Sequence, residues 1–120
     1  MSYKTIFYEK ADGTSPAKDF LISLDYDMRT KMFRTLKLLQ SNGPELREPY
    51  SKELEDGIFE LRAKFSSNIS RLLFFYDKDK IIVLTNGFIK KSQKTPKQEI
   101  ELAKIYESDY FARKEQVWQH

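Results

Sequence analysis

Two arginines lie where the surrounding apolar pattern leaves them little access to water. Arg62 sits in IFELRAKF (58–65) and Arg71 in ISRLLFFYD (69–77). A guanidinium in such a strand needs a counter-charge, because an unpaired buried charge is costly. One reading pairs Arg71 with Glu60 or with a helix carboxylate. The other places it in a groove, where its rigid fork grips phosphate through two hydrogen bonds. Downstream, GFIKKSQKTP (87–96) adds Lys90, Lys91 and Lys94, and Lys97 follows at once. Cations of this kind stabilise negative charge that develops at phosphorus. They remove protons poorly, since lysine at roughly 10.4 and arginine above about 12 are both charged at neutral pH.

What is missing narrows the chemistry further. The sole histidine is His120, there is no cysteine, and there are four glycines. A histidine-based triad, a cysteine nucleophile and a His/Cys metal site are therefore excluded, and no glycine-rich phosphate loop is present. The acidic pairs Glu53/Glu55 and Asp77/Asp79 fall in apparent loops and turns and read as solvated surface. No cofactor is expected.

The elements that must position these residues can be read from periodicity. YKTIFYE (3–9) alternates and is rich in β-formers, so it predicts a first strand. Asp12-Gly13 marks a turn, Ser15 is the N-cap and Pro16 the first residue of a helix carrying Phe20, Leu21 and Leu24. A second helix, roughly 26–41, follows from Met28, Met32, Leu36 and Leu39, with Phe33 beside them. Gly43-Pro44 ends it. Residues 44–57 have no sustained period and contain Pro49; they read as a long loop with at most a short strand or turn. Strands at 58–65, 69–77 and 80–90 are joined by the hairpin-sized SSN and DKDK. A last helix begins at Thr95, with Pro96 at its first position and Gln98 completing a capping box. Its apolar stripe is Ile100, Ala103, Ile105/Tyr106 and Tyr110. The order β-α-α-β-β-β-α gives an α+β fold: a helical hairpin on one face of a small antiparallel meander, with the last helix across the sheet.

If the DKDK turn opposes Tyr76 to Ile81, Arg71 shares a sheet face with Leu84, Asn86, Phe88 and Lys90. That face offers phosphate-gripping cations and an aromatic stacking platform, an inventory suited to RNA. The SSN loop leaves open whether Arg62 joins it.

The strings GIFELR (57–62), ISRLLFFY (69–76), IIVLTNGFIKKSQKTP (81–96) and EIELAKIYESDYF (99–111) carry a resemblance. Over about residues 3–112 the chain resembles the phage Gp49-like branch of the RelE/HigB toxins, most specifically in GFIKKSQKTP. The resemblance implies a RelE-like fold and a type II toxin that cuts mRNA in the ribosomal A site. It also implies a cognate helix-turn-helix (HigA-like) antitoxin. RelE-type enzymes use basic strand residues in place of a histidine pair. Matched by motif, Arg62, Arg71, Lys90 and Lys91 fall on their catalytic positions. Asn86 and Phe88, on the face inferred for Arg71, and Lys94 and Lys97, in the basic stretch after the last strand, are the RNA-binding candidates. The chain departs from RelE proper, which has a C-terminal tyrosine near its site that neither Tyr106 nor Tyr110 matches. It departs also from HigB toxins with C-terminal histidines. The acid and base are left open, with Lys90 or Lys91 the candidate base. ParE-type toxins on the same scaffold inhibit gyrase without cutting RNA; in that alternative the strand arginines are structural pairs.

Composition sets the remaining bounds. At 120 residues, 40% of them hydrophobic, the chain is expected to form one domain, 1–120. MSYKTIFYEK has no apolar targeting core and no run is long enough to span a bilayer, so a cytoplasmic protein without a membrane partner is expected. Residues 1–60 hold nine Lys/Arg against eleven Asp/Glu; residues 61–120 hold twelve against seven, a net charge of +5. A basic second half suits an anionic partner such as mRNA. Holding a 2′-OH in line with phosphorus can be worth about 7–11 kcal/mol. A ribosome that already grips its codon can supply that alignment, so ribosome dependence and metal independence are expected.

Overall fold

A computed structural model of the chain describes residues 2–90 and 94–118. After the first strand, β1 (Lys4–Phe7), Ser15 accepts a hydrogen bond from the N–H of Lys18, and Pro16 opens helix α1 (Pro16–Ser23). Helix α2 (Tyr26–Asn42) ends at Gly43, whose φ of 56° is the left-handed conformation that favours glycine there. A Cβ at this position would also run into the Tyr3 ring.

The expected loop at 44–57 contains a short 3-10 turn (Gly43–Glu45) at its start and a strand, β2 (Ser51–Glu55). Strands β3 (Ile58–Phe65), β4 (Asn68–Asp77) and β5 (Ile81–Lys90) follow, and helix α3 (Lys97–Trp118) closes the described chain. The five strands form one sheet in the order β1-β5-β4-β3-β2. It is not wholly antiparallel as the meander expectation had it: β1 lies parallel to β5, with Lys4 opposite Ile81 and Phe7 opposite Leu84. The α1–α2 hairpin carries the chain from this edge to β2 at the other edge, and in doing so covers one face.

That face buries Leu21, Met28, Met32, Leu36 and Leu39 of the hairpin against Leu61, Leu72, Phe74 and Ile82. The opposite face buries Ile58, Leu73, Phe75 and Val83 under α3, with Ala103 fully buried and Tyr106 and Tyr110 packed alongside. Leu72 to Phe75 are thus consecutive and all enclosed, as expected of a strand covered on both faces. The ambiguous Ile105/Tyr106 position resolves to Tyr106, since Ile105 is 62% exposed; Phe33, likewise, faces outward.

The β4–β5 register differs from the expected one twice. The turn pairs Tyr76 with Ile82, one residue later than expected, using positive φ at Asp79 and Lys80. A bulge then skips Thr85: Phe74 opposes Leu84, but Leu73 opposes Asn86. The Thr85 hydroxyl donates to the Leu73 carbonyl at 3.0 Å. The two shifts together move Arg71 to a position opposite Phe88, which restores its original face. Asn86, Phe88 and Lys90 therefore do share the face of Arg71, whereas Leu84, below the bulge, points into the α1–α2 core.

Candidate active site

Strand β3 alternates so that Glu60 and Arg62 lie on the α3 face while Leu61 and Ala63 enter the hairpin core. The SSN loop fixes what the sequence left open: Arg62 stands directly opposite Arg71 of β4. Glu60 lies between them in function. Its Oε2 accepts from Arg62 Nε at 2.5 Å, and its Oε1 from Arg71 Nη1 at 3.4 Å. Thr95, just ahead of α3, donates to the same Oε1 and accepts from Arg71 Nη1 at 3.1 Å. The hydroxyl expected to cap α3 is turned into the sheet instead. Glu60 and Arg71 have no exposed side-chain surface, and Arg62 keeps 17% of its own.

Two guanidinium groups and one carboxylate leave this cluster with an excess positive charge. Burial makes the pairing compulsory, because the desolvation of each ion must be offset by its partners. Arg62 is the member with access to solvent.

The other expected site residues divide in two. Lys90, opposite Ile69 at the end of β5, is exposed, as are Lys94 and Lys97. Lys91 lies outside the described residues. Phe88 is partly buried and packs into the α3-side cluster. Arg71 takes the first of its two expected readings, the pair with Glu60. It and Asn86 do not lie on the open RNA-facing surface of the second: α3 and Thr95 just ahead of it close over them. Asn86 is 3% exposed, and its Nδ2 donates to the Glu99 carbonyl and to Glu99 Oε1 at 3.3 and 3.1 Å. Its place is to tie β5 to the first turn of α3.

A second polar network holds the far half of α3. The Tyr110 hydroxyl donates to Asp77 Oδ2 at 2.8 Å and Lys114 Nζ to the same oxygen at 2.6 Å. Asp77 is not the solvated turn residue that its sequence context predicts: its side chain is 2% exposed. Burial alone would raise its pKa, but the hydrogen bonds from Lys114 and Tyr110 hold it below the ordinary carboxylate value. Tyr8 donates to Asp109 at 2.6 Å and stacks on Tyr106 with ring centroids 4.7 Å apart. Burial, and then the hydrogen bond to an aspartate, push the Tyr8 and Tyr110 phenols up to about 12. Tyr110 thus binds the opposite end of β4 from Arg71. Nothing in the sequence marked Thr95 or Asp77 as interior partners, whereas the pairing of Arg71 with Glu60 was one of the two readings its strand pattern offered.

The sequence model of the phage-derived Gp49-like family matches residues 19–106. The chain belongs to this family. The Gp49-like family is one of RelE-type toxins, which places the protein among the toxins of toxin–antitoxin systems and implies an antitoxin partner. The matched span includes the whole Glu60–Arg62–Arg71–Thr95 cluster and ends within α3. No curated protein matches the chain. No helix among the described residues of this Gp49-like protein is long and apolar enough to cross a membrane.

Proposed function

We propose that this Gp49-like toxin is a ribosome-dependent, metal-independent mRNA endoribonuclease of the HigB type, silenced by a HigA-like helix-turn-helix antitoxin. The observation that carries the reading is the cross-strand pair Arg62–Arg71 on a single carboxylate, at the end of the sheet where Lys90 also stands. In the reaction, the 2′-oxygen loses its proton and attacks phosphorus, the bond to the 5′-oxygen breaks, and that oxygen takes up a proton from water, leaving a cyclic phosphate and a free 5′-hydroxyl. Arg62, the member of the pair that keeps some access to solvent, stabilises the charge gathering on the phosphoryl oxygens. Arg71 acts through Glu60 and Thr95 as a positioning residue that fixes Arg62, although its motif match is to a catalytic position. Lys90 and Lys91 are the candidates for taking the 2′-OH proton. Phe88, Lys94 and Lys97 guide the strand, and Asn86 holds the α3 end that carries Lys97.

The test is to add the purified protein to a translating extract and map mRNA 5′ ends, with Arg62→Ala and Lys90→Ala beside the wild type. Cleavage within ribosome-bound codons that both variants lose supports the reading. A second reading, a ParE-like gyrase inhibitor, draws on the complete burial of Arg71 and Glu60, which a purely structural pair would also show. Loss of gyrase supercoiling without any mRNA ends would select it.

A further inference from the structure

Beyond the end of β2, the outer edge of β3 is left without a neighbouring strand, and a pocket opens there. The ladder between the two strands begins at Ser51, opposite Leu61, and the Tyr50 carbonyl accepts from the Arg62 N–H at 2.8 Å. Past that bond, the wall passes from β2 to helix α2. The resulting cavity, about 300 Å³, is lined by Lys31 of α2 together with Tyr50, Arg62, Ala63, Lys64 and Ile69. Ala63 and Ile69 are buried apolar residues at its walls, while Tyr50 remains 44% exposed. Among the described residues no carboxylate lines the cavity. Neither Lys31 nor Lys64 takes part in an ion pair among the described residues.

An exposed tyrosine beside buried apolar residues, flanked by two lysines that no carboxylate among the described residues pairs, matches a planar aromatic group that carries phosphate. A bare lysine patch would attract phosphate equally from any source; the apolar walls and the tyrosine add a preference for a base. The volume lies at the lower end of ligand-sized cavities, roughly 300–1,000 Å³, which suits one nucleotide better than a peptide segment. We infer that this pocket binds a single RNA nucleotide, its base on Tyr50 and its phosphate between Lys31 and Lys64. The inference rests on the RNA-cutting reading and deepens it. Arg62 borders both this pocket and the Glu60 cluster, so the bound nucleotide would be a neighbour of the one whose phosphate is cut.

The experiment follows backbone amide shifts of the whole chain by nuclear magnetic resonance as adenosine 3′-monophosphate, uridine 3′-monophosphate or inorganic phosphate is added. The expected result is shifts centred on Lys31, Tyr50 and Lys64, with the nucleotides binding more tightly than phosphate. Tyr50→Ala should weaken nucleotide binding about tenfold or more while leaving phosphate binding alone. Lys31→Met with Lys64→Met should abolish both. Tyr50 is exposed and its carbonyl is kept in the alanine variant, so the fold should survive; an unchanged amide spectrum elsewhere checks this. Shifts centred on the Lys90 end, or nucleotide binding no tighter than phosphate and insensitive to Tyr50→Ala, would overturn the inference. So would tighter binding of a hexaglutamate peptide in the same pocket, which would assign it to an acidic protein partner. Because no cleavage is measured, nucleotide binding here without mRNA cutting on ribosomes would refute the nuclease reading alone.

Discussion

Arg62 and Arg71 stand directly opposite each other on adjacent strands, and both reach the carboxylate of Glu60. Like charges facing across a ladder repel, and the anion shared between them offsets that repulsion. The arrangement divides the labour. Arg71 is enclosed and held by Glu60 and Thr95, whereas Arg62 takes its orientation from the same carboxylate and keeps a solvent-facing side.

Removing Glu60 should therefore unsettle the fold before it affects anything else. Glu60→Ala leaves the Arg71 charge buried without its carboxylate, and a loss of about 3–5 kcal/mol in urea unfolding is expected. Arg71→Ala should cost a similar amount. The double variant should lose clearly less than the two costs added together, because each single change already breaks the same contact.

Arg62→Ala should behave in the opposite way. Glu60 retains Arg71 and Thr95, so the melting temperature should change little. Ribosomal cleavage should fall by about 10²–10³-fold, the usual cost of one charge-stabilising donor. A variant that melts far lower yet cuts normally would reverse the assignment of the two arginines.

Acid should loosen α3 through Asp77. Its pKa in the fold is depressed, so its contribution to stability is complete above the unfolded value of about 3.9 and is lost as pH falls through the lower folded value. Thermal melts between pH 7 and pH 2 should show Asp77→Asn less stable than wild type at neutrality, with the gap closing below about pH 4. A constant gap across that range would mean that the carboxylate charge is not what holds Tyr110 and Lys114.

Alkali should act through phenols. Tyr8, Tyr76 and Tyr110 are each pushed up to about 12, in each case first by burial. Their stabilising contribution is fully present below the ordinary phenol value of about 10 and is lost as pH rises through the folded value. Titration followed by phenolate absorbance should show some of the seven tyrosines ionising only as the protein unfolds. Ionisation of all seven near pH 10 in the folded state would contradict this.

The parts of the fold that were legible in the sequence are those set by local rules. Ser15 and Pro16 start a helix through contacts within three residues, and Met28, Met32, Leu36 and Leu39 declare their face by spacing alone. What was not legible depends on partners distant in sequence. The parallel pairing of β1 with β5, the skipped Thr85 and the burial of Asp77 by Tyr110 and Lys114 are set by elements dozens of residues apart or by one extra residue in a strand. Within the candidate site, the shared face of Arg71, Phe88 and Lys90 was inferred through a register two residues off, an even error that returned the correct side. The roofing of Arg71 and Asn86 by Thr95 and Glu99 could not be anticipated, because threonine before proline at a helix start reads as an ordinary cap.

The central claim is that the basic cluster cuts mRNA only when a ribosome presents it. The most direct measurement compares cleavage of one mRNA, free and on translating ribosomes, by mapping 5′ ends over time, with the free-RNA arm run with and without EDTA. The account predicts efficient codon-positioned cuts on ribosomes that disappear in Arg62→Ala, and negligible cutting of free RNA whether or not EDTA is present. Cutting of free RNA at a comparable rate, abolished by EDTA, would contradict it.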